Sequence, residues 1–379
     1  MKSIYLDNAA TTKVDKEVVK AMLPYFNEKY GNASSLYDLG QESKKALENS
    51  RKKIADLLKV NKDEIVFTGS GTEANNLAIK GFALLKGKGH IITSKIEHPA
   101  VLEVCKYLEK KGFEVSYLDV DKDGFVKLDE LKKLISKDTI LVSIMCANNE
   151  IGTIQPIKEI SRICRENNIL FHSDMAQSFG KIPIDFSLVD LASFSGHKIY
   201  GPKGVGCLYV KKGIKLKPVI YGGGHEKSLR SGTENIPLII GFAKAAELIF
   251  KDMNKESKRQ AKLRDYLIEE ILKIKGSRLN GSEKNRLPNN VNVSFDFVEG
   301  ESLVFKLNFK GISVSTGSAC SSKKLEASHV LLAIGLKPEI AHGSLRISLG
   351  KFNKKEDINY LLDNLKEILN ELRRISPLK

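Results

Sequence analysis

The chain has 379 residues, 42% of them hydrophobic, and a formal net charge of +15, which is enough apolar material for one large core or two domains. No run approaches the roughly 18–20 apolar residues that a membrane span needs, and the start, Met1-Lys2-Ser3-Ile4-Tyr5-Leu6-Asp7, has no signal-peptide apolar core, so a cytoplasmic protein is expected. Five cysteines without a Cys-x-x-Cys pair argue against a disulfide framework or a zinc knuckle, and lysines dispersed along helical faces read as a solvated surface rather than a nucleic-acid or membrane partner.

In chain order, Tyr5-Leu6-Asp7-Asn8-Ala9-Ala10-Thr11-Thr12 reads as a short strand passing into small polar residues. Val18, Val19, Met22, Leu23 and Phe26 fall on one helical face. Gly31-Asn32-Ala33-Ser34-Ser35 breaks the pattern before a long charged helix whose stripe is Ala46, Leu47, Ile54, Leu57 and Leu58. Ile65-Val66-Phe67 is a strand, and Thr68-Gly69-Ser70-Gly71-Thr72 turns it into a helix. Such a turn leaves backbone N–H groups at a helix N-terminus, a ready phosphate site. The next strand, 89–93, leads through Glu97-His98-Pro99 into a helix at 100–110.

Asp119, Asp121, Asp123, Gly124 and Glu130 match the calcium-loop pattern of an EF-hand. However, Glu114-Val115-Ser116-Tyr117-Leu118 alternates as a strand where that motif requires an entering helix. The expectation is a β-turn before a helix at 128–135, and no metal.

Residues 139–145 form a continuous apolar run, the mark of a strand buried on both faces of a parallel sheet, and it ends at Asn148-Asn149. A helix at 157–165 leads to a strand at 169–172, which ends at Ser173-Asp174-Met175-Ala176-Gln177. Apolar runs at 189–194 and 205–210 flank Ser195-Gly196-His197-Lys198. A lysine at such a strand end can be partly desolvated, which frees the amine for Schiff-base chemistry. The alternation of strand and helix predicts an α/β fold with a mostly parallel, doubly wound sheet. Polar strand ends converge on one crevice in that fold, bringing His98, Asn149, Asp174, Gln177 and Lys198 together.

Beyond lie a Gly-rich segment at 221–235, a helix at 238–250 and a lysine-rich stretch near 252–264, where a domain boundary is expected. The remainder reads as an α+β domain with a helix at 263–274, strands at 290–295, 312–314 and through Ile347, and a last helix at 358–372. The predicted division is 15–254 for a large domain, with 1–14 and 255–379 in a small one. Cys105, Cys146, Cys164 and Cys207 sit in helical or apolar stretches and are expected in the core. Cys320 instead lies in the small, polar run Ser315-Thr316-Gly317-Ser318-Ala319-Cys320-Ser321-Ser322-Lys323-Lys324, with cations that favour a thiolate.

Pyridoxal phosphate accounts for this combination, because it needs a lysine, a carboxylate for its pyridine nitrogen and a helix N-terminus for its phosphate. Lys198, Asp174 and Gly71-Thr72 fill these roles, Ser195 and His197 add phosphate donors, and His98 lies over the ring. Asp-x-x-Gln followed by Ser-Gly-His-Lys resembles the class V aminotransferase-like branch of these enzymes. Together with Arg230-Ser231-Gly232-Thr233 and Gly317-Ser318-Ala319-Cys320-Ser321, the set resembles a group I (NifS/IscS-like) cysteine desulfurase from end to end. Met175, and Ala33 where that family often has proline, depart from the pattern without touching a chemical role.

The resemblance implies an aspartate-aminotransferase-like fold (fold type I) and a substrate, L-cysteine, whose carboxylate Arg346 holds. Lys198 shuttles the Cα proton, and the Cys320 thiolate takes the sulfur as a persulfide while alanine is released. Asn149, Gln177 and His98 orient the ring, and Thr233 reaches the phosphate of a neighbouring subunit, so a homodimer is implied. Sulfur acceptors would be an iron–sulfur scaffold or a tRNA-thiolation protein. A selenocysteine lyase or related aminotransferase, and more distantly a non-catalytic assembly scaffold, are the alternatives.

Overall fold

The computed structural model describes residues 3–317 and 327–376. Its strands are β1 (Ile4–Tyr5), β2 (Ile65–Thr68), β3 (His90–Ser94), β4 (Glu114–Leu118), β5 (Thr139–Ser143), β6 (Leu170–Asp174), β7 (Leu191–Ser195), β8 (Gly206–Val210), β9 (Ser277–Leu279), β10 (Asn290–Phe295), β11 (Ile312–Ser313) and β12 (Ser344–Ser348). Among the described residues, β2 to β8 build a seven-stranded sheet in the order β2-β8-β7-β6-β5-β3-β4. Parallel pairing joins β3 to β4 and β5, β5 to β6, and β6 to β7. β8 runs antiparallel to both β2 and β7, since the short connection from β7 has no room for a crossover helix. This is the mostly parallel α/β sheet that the sequence predicts.

The continuous apolar runs are explained by burial on both sides. Ile92, Val142, Phe171 and Phe194 join one core cluster, whereas Ile91, Leu141, Leu191 and Leu208 join the other. Successive strand residues point to opposite faces, so a strand covered on both must be apolar throughout. The helices α1 (Lys16–Met22), α2 (Pro24–Asn27), α3 (Asp38–Leu58), α4 (Gly71–Lys86), α5 (Pro99–Glu109), α6 (Leu128–Leu134) and α7 (Ile157–Glu166) precede a long α8 (Ile236–Leu272). α4 and α5 cover one face; α3, α7 and the N-terminal part of α8 cover the other.

A separate core gathers Ile4, Leu6, the C-terminal part of α8, β10 and β12 with α9 (Gly300–Phe309) and α12 (Lys355–Ile375). Between them lie α10 (His329–Ala333) and α11 (Pro338–His342). β12, β10 and β9 form an antiparallel sheet, and β1 pairs in parallel with β11.

The helices expected at 238–250 and 263–274 are one uninterrupted helix, α8. Its middle shows no apolar stripe because it bridges the two cores; its Lys, Glu, Gln and Arg residues have good helix propensity, and Arg259 pairs with Glu256 one turn away and donates to the Asn353 and Gly350 carbonyls. At the calcium-like pattern, β4 enters as expected. Asp119 pairs with Lys95 at 2.5 Å, and the Asp121 carboxylate accepts the N–H groups of Asp123 and Phe125, each at 2.9 Å.

One buried ion pair anchors an unusual turn. Glu226, Lys227 and Ser228 take left-handed φ values of 46°, 59° and 64°, a conformation that side chains with a Cβ disfavour. The Glu226 carboxylate holds Arg51 at 2.8 and 2.6 Å and also accepts the Phe67 N–H at 2.7 Å. Removing it leaves the buried guanidinium with only the Ile65 carbonyl and the exposed Glu48 carboxylate as partners. Glu226→Ala is therefore expected to lower stability by about 3–5 kcal/mol in urea unfolding followed by circular dichroism. A loss under about 1 kcal/mol would contradict that role.

Candidate active site

The carboxyl ends of β2, β3, β5, β6 and β7 open into one cleft of about 430 Å³. Of the residues predicted from sequence, Gly71, Thr72, His98, Asn149, Asp174, Gln177, Ser195, His197, Lys198 and Arg346 line it. Thr233 does not line the cleft and is exposed on the surface, and Cys320 lies outside the described residues.

Each side chain is fixed by the element that carries it. Asp174 ends β6, and its carboxylate accepts from Asn75 Nδ2 at 2.7 Å and from the Ala176 N–H at 2.9 Å. Lys198 follows β7 in a single helical turn, where Nζ donates to the carbonyls of Ala9 and Ala10 at 2.6 and 2.8 Å. Gln177 Nε2 donates to the same Ala9 carbonyl at 2.9 Å. Arg346 lies on β12 and reaches the cleft from the smaller core, donating to the carbonyls of Asn149 and Gly317 and pairing with Asp7 at 2.9 Å.

The helix that starts the phosphate-type loop is capped by Ser70, whose Oγ accepts the Glu73 N–H at 3.1 Å. That leaves the N–H groups of Gly71 and Thr72 without intrahelical acceptors at the positive end of the helix dipole. Gly206 makes the close approach possible, because a Cβ there would lie 2.4 Å from the Ser70 carbonyl carbon.

His98 caps α5: its Nδ1 accepts the Ala100 N–H at 3.1 Å, so the neutral ring carries its proton on Nε2. Burial holds its pKa below the usual histidine range. Burial, with the nearby charge of Lys198, pushes His197 down to about 4. Both histidines therefore sit in the cleft as neutral rings at neutral pH. Cys105, Cys146, Cys164 and Cys207 are buried as expected, and burial raises all four thiols, Cys146 to about 11 and Cys105 and Cys164 to about 12. None of them presents a thiolate.

Sequence reasoning gave no role to Asp7, Asn75, Glu150 or His329, all tied to this site. Asn75, Glu150 and His329 line the cleft. Asn75 lies one helical turn after Gly71, a spacing that puts both on one face. Glu150 accepts from Ser328 Oγ at 2.5 Å, and His329 Nε2 lies 3.0 Å from the Glu97 carbonyl. No local pattern marks these two, because they meet only through the packing of α10, distant in sequence, against the large-sheet core.

Two polar atoms among the lining residues are buried without a partner: Asn75 Oδ1 and Arg346 Nε. A carboxylate, a lysine, an arginine and the N–H groups of a helix N-terminus lining one cleft fit a polar, anionic cofactor with a carboxylate substrate. The Aminotransferase class-V family model matches residues 4–361. The chain belongs to this family. Class V aminotransferase-family enzymes depend on pyridoxal phosphate, the group that the donor set fits. Among curated relatives, cysteine desulfurase IscS of Dictyoglomus turgidum is 55% identical, with 100% of this chain and 97% of that protein covered. Cysteine desulfurase IscS of Methanosarcina thermophila is also 55% identical, over 100% of this chain and 94% of that protein. The solved structure of a NifS-like protein superposes with a TM-score of 0.92 at 44% identity, covering 98% of this chain and all of that one.

Borohydride reduction of the cofactor-loaded protein followed by peptide mapping should place the pyridoxyl group on Lys198. A label on Lys203 or Lys181 instead would contradict the assignment.

Proposed function

We propose that this protein is a cysteine desulfurase that converts L-cysteine to L-alanine and leaves the sulfur as a persulfide on Cys320. The supporting observation is the meeting of Lys198, Asp174 and Arg346 in one cleft whose lining includes Gly317, directly before the segment that bears Cys320. The full-length likeness to named cysteine desulfurases supports the same reading.

Pyridoxal phosphate, when bound, supplies a ring that stores the electron pair released at the substrate Cα. Asp174 keeps the pyridine nitrogen protonated, and Asn75 and the Ala176 N–H keep that carboxylate aimed. The N–H groups of Gly71 and Thr72, with Ser195 and His197, hold the phosphate. Asn149, Gln177 and His98 orient the ring. Arg346 receives the substrate carboxylate, to which its planar fork is matched. Lys198 takes the proton from Cα and returns one as general acid. The Cys320 thiolate attacks the substrate sulfur, the sulfur–Cβ bond breaks, and its electron pair stays with carbon, which is protonated to give alanine. The new sulfur–sulfur bond remains on Cys320.

Thr233, exposed on this chain, completes the phosphate site of a second copy, so the working form is a homodimer. Among the described residues no helix is long and apolar enough to cross a membrane. We place the enzyme in the cytoplasm, passing sulfur to an iron–sulfur scaffold or a tRNA-thiolation protein. A domain division at residue 254 fits this work, since it separates the cofactor-binding face from the part carrying Arg346 and Cys320.

Cys320→Ser should take up cofactor normally, release alanine at least about a hundredfold more slowly and form no persulfide by mass spectrometry. Alanine release at the wild-type rate would refute the proposal.

A further inference from the structure

A second cavity, of about 310 Å³, is walled by residues that include Gly180, Lys181, Tyr200, Leu248, Ile249 and Gln260. None of these lines the active-site cleft. Lys181 is joined to it through one residue. Its Nζ donates to the Gln177 backbone carbonyl at 2.9 Å and to Gln177 Oε1 at 3.4 Å. The other end of the same amide, Nε2, donates to the Ala9 carbonyl, which also accepts Lys198 Nζ.

The cavity also holds charged groups, but they are engaged elsewhere or lie apart. Asp15 pairs with Lys351, and Glu256 pairs with Arg259 at 2.7 Å. Asp252, Glu17 and the Tyr200 phenol complete the set around the cavity. Among the described residues no carboxylate pairs with Lys181. Burial and the charge of Lys198 push the Lys181 amine down to about 7. Charged or neutral, it keeps at least two N–H donors, enough for both Gln177 oxygens.

A glutamine amide is nearly symmetric in shape, so only its hydrogen-bond partners decide which end points where. The charged lysine can only donate and the Ala9 carbonyl can only accept, so the two partners together place Oε1 toward Lys181 and the NH2 toward Ala9 and the cleft. We propose that Lys181 is a positioning residue that turns the Gln177 amide so that its NH2, and not its carbonyl, is offered to the anionic oxygens of the cofactor. A carbonyl in that place would repel them. The inference rests on reading the cleft as a pyridoxal phosphate site.

The test measures the dissociation constant of pyridoxal phosphate for the full-length protein by equilibrium dialysis. Lys181→Met keeps the apolar stem and removes the donors. It should weaken binding about three- to tenfold, the loss expected for one net hydrogen bond. Lys181→Arg, for which the cavity has room, should bind as the wild type does. In a Gln177→Leu background, Lys181→Met should add nothing, because its effect travels through that amide. Lys181→Leu carries the same comparison if Lys181→Met fails to fold. Unchanged binding in Lys181→Met, or an equal loss in both backgrounds, would overturn the inference while leaving the function intact. A wild-type chain that takes up no pyridoxal phosphate would overturn the functional reading and this inference with it.

Discussion

The Ala9 carbonyl is the point on which the site turns. It accepts both Lys198 Nζ and Gln177 Nε2, which come from the ends of two different strands. The stretch around it is tied down from both sides. Thr12 Oγ1 donates to the His197 carbonyl at 2.8 Å and accepts the Tyr200 N–H at 2.7 Å. Asn8 Nδ2 donates to the Ser348 carbonyl at 2.9 Å, and Asp7 pairs with Arg346. One short segment, leaving a strand of the smaller core, thus sets the distance between the lysine on the large sheet and the arginine on the small one. Catalysis by positioning depends on such fixed distances.

Electrostatics follow from the same arrangement. The cleft concentrates the cations Lys198 and Arg346 and a helix N-terminus, with the Asp174 carboxylate held by two donors. Its two predicted histidines are kept neutral by burial, so they act as hydrogen-bonding groups without adding charge. Two cations and a helix N-terminus set against the Asp174 and Glu150 carboxylates give separate sites for the negative and positive groups of an anionic cofactor and an amino-acid substrate.

Much of this was legible in the sequence because the signals were local. Strands buried on both faces show as unbroken apolar runs, and Asp174, Lys198 and the Gly71-Thr72 turn stand at strand ends that a parallel sheet must bring together. What was not legible depends on tertiary contact. The middle of α8 reads as a linker because its buried contacts are made by polar residues such as Gln260 and Arg264, which leave no apolar stripe. The apolar residues of α9 go around the helix without forming a stripe, with Phe305 and Phe309 exposed, so no periodicity announces it. Glu150 and His329 become part of the site only when α10, far along the chain, packs against the large-sheet core beside the loop after β5. Nothing in the local sequence marks Lys181, because its place in the site depends on its bond to Gln177.

The most direct measurement of the central claim follows both products of a single turnover. The cofactor-loaded protein is mixed with sulfur-labelled L-cysteine in the absence of an acceptor or reductant, and alanine and protein-bound sulfur are quantified together. The account predicts alanine and bound label in equal amounts, with the label on the peptide that contains Cys320. Labelled sulfide released with pyruvate in place of alanine, or label on one of the buried cysteines, would contradict it.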